Sequence, residues 1–358
     1  MERKNYIDNI RWVTVVIVVL YHIIYIFNNS GVITNLDVKG VPQLDVFLSF
    51  VYPWFMNLLF VVGGMSAKYS LQKRTPKEFI SQRAKTILVP SICGIFIFGW
   101  ISGWVTNQCV DMFMGGGDAI PAVIKYLIYC MMGIGPMWFA HELFLFSAIL
   151  LLVRKIDKKE KLLALGEKTN IWAIILLVVA VWLSSLVLNT PMIEVYRNGI
   201  YFFMFLLGYY VFSHENVTDI LVKYKIPMII AAVVFNGIYA CIHYGENYAS
   251  TATLKSPLAN IAAWTGVLAV IGSFKAWFNF KNKFTSYMTK RNFAFYVLHY
   301  PIMILVAYFA AKVAGISVVV TYFLMLAAEI VFLPLLYEVI SRIPVLKLII
   351  LGIPSEKN

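Results

Sequence analysis

The chain has 358 residues, of which 61% are hydrophobic and 13% charged, and its mean hydropathy is +0.78. Soluble domains carry about 25% charged residues, so the composition excludes an ordinary water-soluble enzyme and indicates a polytopic membrane protein. The formal net charge is +12, but the basic residues collect in short loops, a pattern that orients membrane helices and argues against a nucleic-acid groove.

Charge-poor apolar runs predict helices near 11–27, 45–66, 86–106, 137–153, 171–188, 198–213, 226–243, 257–273, 293–311 and 317–340. Each is about the length a bilayer needs. The first run follows Arg3, Lys4 and Arg11 without the small-residue cleavage site of a signal peptide. Residues 122–134 are apolar but short, as in a re-entrant or interfacial piece. With both termini cytoplasmic, 25 of the 30 Lys and Arg fall on the inner side and five (Lys39, Lys125, Arg197, Lys255, Lys312) on the outer. This split obeys the positive-inside rule. The fold class expected is therefore an all-α integral membrane bundle of about ten spans, with residues 1–358 forming a single domain. Cys93, Cys109, Cys130 and Cys241 show no metal-ligand spacing and read as small apolar residues, with disulfides neither assigned nor excluded.

In the first run, YIDNIRWVTVVIVVLYH, Arg11 and His22 stand eleven residues apart. At about 100° per residue that is almost three turns, so both side chains share a helix face. His22 lies ~16 Å beyond Arg11 along the axis, near the middle of a ~30 Å hydrocarbon slab. An ionisable group at that depth points to function, although a histidine satisfied by a neighbouring helix is the competing reading. Asp8, three residues before Arg11, can pair with it.

The stretch KYSLQKRTPKEFISQRAK holds six basic residues against Glu78. It reads as a topology determinant on anionic lipid or as a cradle for a phosphorylated ligand, with Arg83 and Lys85 entering the third helix. Asn57 and the Gly63–Gly64 pair lie upstream, where backbone could approach a ligand. In PMWFAHELFLF, Trp138 and Glu142 are four apart with His141 between them, at the outer end of a helix. They form a candidate acceptor site or an interfacial anchor with a solvated acid. His299 precedes Pro301, which frees a backbone carbonyl that the imidazole or water could satisfy. Glu329 is an intramembrane acid expected to find a histidine or lysine on another helix. Glu338 and Arg342 have the spacing of an i,i+4 pair. No P-loop, HExxH, GxSxG or Cys/His array occurs, so no metal site is expected.

These motifs resemble the membrane-bound acyltransferase 3 family, whose first helix places Arg or Lys eleven residues before a histidine. Arg11 and His22 match, and Asp8 matches a frequent acid upstream. EFISQRAKTILVP resembles the family's basic helix start, except that Thr86 stands where a further arginine is common. PMWFAHELFLF and FYVLHYPI resemble later elements. The chain looks most similar to the branch of glucan succinyltransferases and sugar O-acetyltransferases, without an attached hydrolase-like domain. The resemblance implies transfer of an acetyl or succinyl group from cytosolic acyl-CoA, the only cofactor-like molecule involved, to a hydroxyl of a glycan or lipid-linked sugar at the cytoplasmic membrane. His22 and Arg11 would be catalytic. Arg83, Lys85 and Asp8 would bind the donor, and Trp138, Glu142 and His141 the acceptor; His299 and Glu329 are further candidates. Membrane lipid is an expected partner, nucleic acid is not, and the oligomeric state stays open, a homo-oligomer included. The alternative is a secondary transporter with His22 and Glu329 as a proton relay.

Overall fold

A computed structural model describes residues 4–190 and 195–353; Arg3 and Lys357, counted above among the basic residues, lie outside these. Apolar segments in lipid must satisfy their backbone hydrogen bonds internally. Among the described residues the regular elements are all helical, apart from an isolated antiparallel bridge between Asn189 and Arg197. In chain order the helices are α1 (Asn5–Tyr25), α2 (Asp45–Leu71), α3 (Pro76–Cys109), α4 (Ala122–Met132), α5 (Trp138–Ile156), α6 (Lys161–Glu167) and α7 (Ile171–Ser185). They continue with α8 (Asn198–Tyr210), α9 (Glu215–Lys223), α10 (Lys225–Ile242), α11 (Pro257–Trp277), α12 (Lys283–Ala307), α13 (Val318–Ser341) and α14 (Pro344–Ile349).

Every apolar run lands on a helix, but eight of the ten have the length and apolarity to cross a bilayer among the described residues. The other two, α7 and α8, have 15 and 13 residues. At ~1.5 Å per residue they reach roughly 20 Å, short of a ~30 Å slab. The 122–134 segment forms the 11-residue α4.

Helix α3 is longer than expected and begins with a reciprocal capping box. Thr75 N–H donates to the Glu78 carboxylate at 2.8 Å, and Glu78 N–H to the Thr75 hydroxyl at 3.3 Å. Its register widens to π over Ala84–Leu88 and again over Ile95–Gly99. Pro90 lies between and cannot donate to the Thr86 carbonyl, a local cause for the departure from α geometry.

The chain divides into two compact units. One comprises Met1–Ile17, Val46–Ser81 and Glu142–Lys290. In it α2 and α8 meet backbone to backbone: a Cβ at Gly64 would overlap the Phe205 carbonyl, and one at Gly208 the Val61 carbonyl. This corrects the expectation for Gly63–Gly64: the open face of Gly64 receives α8 and that of Gly63 the Leu143 side chain of α5, rather than a ligand. Phe60 stacks on Tyr201 beside this contact, with ring centroids 4.8 Å apart. The other unit comprises Val18–Asp45, Gln82–His141 and Arg291–Asn358. Its core gathers Val19, Ile23, Phe27, Met303, Ile304 and Met325. All four cysteines are free thiols.

Candidate functional site

The second unit brings two intramembrane histidines into contact. His22 Nδ1 lies 2.9 Å from the Val18 carbonyl one turn earlier in α1, and 3.2 Å from His299 Nε2 on α12. His299 is fully buried, and its Nδ1 sits 2.8 Å from the Tyr296 carbonyl. A carbonyl oxygen only accepts, so each Nδ1 that faces one carries the hydrogen in the neutral ring. His299 Nε2 is then an acceptor, and His22 Nδ1–H is shared between the Val18 carbonyl and His299. The lone pair of His22 is left on Nε2. Tyr21, Tyr25 and Tyr300 meet the His22 ring edge-on at centroid distances of 5.3, 5.9 and 5.3 Å. This aromatic collar fixes the ring plane, and the two hydrogen bonds fix its tautomer.

Tyr300 is itself anchored. Its hydroxyl donates to Asn35 Oδ1, and Asn35 Nδ2 donates to the Thr106 hydroxyl at 2.7 Å. Gly135, at φ +50, allows the turn before α5 to press on the Tyr300 ring, 3.2 Å from where a Cβ would stand. The Tyr296 hydroxyl donates to the Pro136 carbonyl in the same turn.

In the first unit, Arg11 Nη1 donates to Asp8 Oδ1 at 3.2 Å, the pair the spacing allows, and Nη2 donates to the Ser66 hydroxyl of α2. The guanidinium is thereby held across two helices. Glu142 is buried, and Asn198 at the start of α8 answers it: the amide nitrogen, assigned from its surroundings, lies 2.8 and 3.1 Å from the two carboxylate oxygens.

Residues 4–338 match the acyltransferase 3 family, described as an acyltransferase domain. The chain belongs to this family. It is a multi-pass membrane acyltransferase, which sets the transporter alternative aside. No curated protein and no solved structure matches the chain.

Other expected site residues of the acyltransferase fall in varied surroundings. Trp138 is buried, as Glu142 is, which corrects the picture of an interfacial anchor beside a solvated acid. His141 Nε2 is buried with no hydrogen-bond partner among the described residues. Arg83 is half-buried on the last regular turn before the first π stretch, and Lys85 is exposed within it. Glu329 is also a correction, since both its oxygens are buried without a partner among the described residues. The kinds of partner expected are engaged elsewhere: Lys312 pairs with Asp37 at 2.7 Å, and the neutral His299 with His22. Glu338 pairs across helices with Arg291, which lies over the Tyr337 ring, and not with Arg342, the C-cap residue that follows α13. His299 bonds the Tyr296 carbonyl rather than the Val297 carbonyl that Pro301 frees.

Residues that sequence reading passed over are Tyr296, Tyr300, Asn35 and Asn198. The two tyrosines flank His299 within FYVLHY and carry a local signal; Asn35 and Asn198 carry none.

Proposed function

We propose that the protein transfers an acetyl or succinyl group from acyl-CoA to a hydroxyl of a glycan or lipid-linked sugar, with His22 as general base. The observation that carries this reading is the lone pair on His22 Nε2, in a ring whose plane and tautomer are set by Val18, His299 and the tyrosine collar. Nε2 takes the proton of the acceptor hydroxyl as its oxygen forms a bond to the thioester carbonyl carbon. The carbon–sulfur bond then breaks, and the leaving thiolate recovers the proton from Nε2. His299 accepts the Nδ1–H hydrogen bond throughout and supports the transient imidazolium.

Arg11, held by Asp8 and Ser66, would orient the donor, and Arg83 and Lys85 would meet its phosphates. Trp138, His141 and Glu142 would serve the acceptor, Trp138 by stacking on a sugar ring. Both termini on the cytoplasmic side of the cytoplasmic membrane would suit a donor drawn from the cytosol.

The test is release of free thiol from acetyl- and succinyl-CoA by the protein in nanodiscs, with donor binding by calorimetry. His22→Ala should abolish turnover while donor affinity and melting temperature hold. Retained turnover in that variant would remove His22 from the chemistry. The Arg83→Ala/Lys85→Ala variant should bind donor more weakly, and unchanged affinity would place the phosphates elsewhere.

A further inference from the structure

A cavity of about 590 Å³ opens where α5 gives way to α6, walled by the start of α3 and the end of α8. Its size is that of a small-molecule site. One wall is apolar, formed by Ile80, Leu151, Leu152 and Leu163. Leu152 is 57% exposed, so this wall continues onto the outer surface of a helix apolar and long enough to cross a bilayer. The rim is cationic, with Lys77, Arg154, Lys155 and Lys158.

The acids on that rim are already occupied. Asp157 accepts from the N–H groups of Lys161 and Leu162 at 2.9 and 3.0 Å, capping α6. Glu160 lies 3.7 Å from Arg154. Lys77, Lys155 and Lys158 enter no ion pair among the described residues. The Tyr210 hydroxyl, on a residue lining the same cavity, is buried without a hydrogen-bond partner among them. The cavity therefore joins a lipid-facing apolar wall to three uncommitted ammonium groups and a spare hydroxyl. Gly166 keeps its shape: α6 lies so close to the end of α8 that a Cβ there would overlap the Tyr210 carbonyl.

We propose that this cavity binds an anionic phospholipid of the leaflet on the lysine-rich side. Its headgroup phosphate would sit among Lys77, Lys155 and Lys158, with an acyl chain along Leu151 and Leu152. A soluble anion would use the lysines but gain nothing from a wall that continues into hydrocarbon, and a zwitterionic lipid would gain little from the charge.

The experiment is native mass spectrometry of the full chain released from nanodiscs of equal phosphatidylglycerol and phosphatidylcholine. Phosphatidylglycerol should be retained preferentially. The preference should fall by about fivefold for each lysine removed in the series Lys158→Gln, Lys155→Gln/Lys158→Gln and Lys77→Gln/Lys155→Gln/Lys158→Gln. Exposed Lys158 alone gives a reading if the triple variant does not fold. Equal retention of the two lipids, or a preference unchanged by Lys158→Gln and the double variant, would overturn the proposal. So would displacement of the lipid by free coenzyme A, which would give the cavity to the donor.

Discussion

Replacing His299 tests the proposed chemistry at its least accessible point. In the neutral pair, the hydrogen bond from His22 Nδ1–H to His299 Nε2 at 3.2 Å joins two uncharged groups. Such a bond contributes about 1 kcal/mol, and roughly twice that when the donor is ionised. His22 is ionised only while it holds the acceptor's proton. The part of the bond that acts on the rate is therefore the difference, about 1 kcal/mol, which is roughly a fivefold loss in kcat. The Val18 carbonyl remains on Nδ1 in the variant and keeps the loss from growing larger. His299→Leu should show this fall in thiol release from acyl-CoA with little change in donor KM. His299→Gln, which restores an acceptor oxygen, should recover part of it. A kcat within twofold of the parent in His299→Leu would refute the reasoning. Equal losses in both variants, accompanied by lowered melting temperatures, would make His299 a packing residue only.

Three further outcomes are expected. Gly208→Ala should destabilise by about 1–3 kcal/mol, read as a lower melting temperature in detergent, because the added methyl meets the Val61 carbonyl; an unchanged melt would show that α2 and α8 can part without cost. Asn198→Leu should cost a similar ~1–3 kcal/mol by leaving the Glu142 carboxyl without its two close donor contacts, and Asn198→Gln should cost less. Glu215 governs a pH effect: partial burial raises its carboxyl, but hydrogen bonds from Lys4 and Lys275 outweigh this and hold it below the ordinary 4.5. A depressed carboxylate stabilises the fold fully above its unfolded pKa and loses that contribution as pH falls through the folded value. The melting difference between parent and Glu215→Gln should therefore be present at pH 7 and shrink below about pH 4.5; a difference that grows on acidification would reverse the assignment.

What could be read from the sequence was what depends on near neighbours. Apolar runs placed the helices because lipid leaves the backbone no other partner. The Asp8–Arg11 pair was legible because three residues on a helix are adjacent. Glu338 shows the limit of that logic. Arg342 has the right spacing, but Arg291 comes from 47 positions away and takes the carboxylate. The same limit hid the partners of the histidine. His22 and His299 are 277 positions apart, and Tyr300 and Asn35 are 265 apart, so no local pattern links them. Lengths failed for another reason: hydropathy marks where apolar character begins and ends, whereas α7 and α8 end where the chain turns back. The π stretches of α3 were equally hidden, since a register shift of one residue leaves composition untouched. The Thr75–Glu78 box, in contrast, is written in the T-P-K-E pattern itself.

The identity of the group behind His22 follows from the medium. A carboxylate in that place would bind Nδ1–H more strongly, but it would hold a permanent charge inside the bundle, at a desolvation cost of several kcal/mol whether or not a substrate is present. A neutral imidazole accepts the same hydrogen bond without that standing cost, because charge arises on the pair only while the proton is in transit. The Tyr296 carbonyl makes this work by occupying His299 Nδ1 with its own hydrogen bond, so that Nε2 has no proton to offer and can only accept. The tautomer of one ring thus sets the tautomer of the other, and both are set by backbone carbonyls, Val18 and Tyr296, that cannot rotate away. A base built this way has its free lone pair aimed before any substrate arrives, which is the form of preorganisation that lowers a barrier rather than merely strengthening binding.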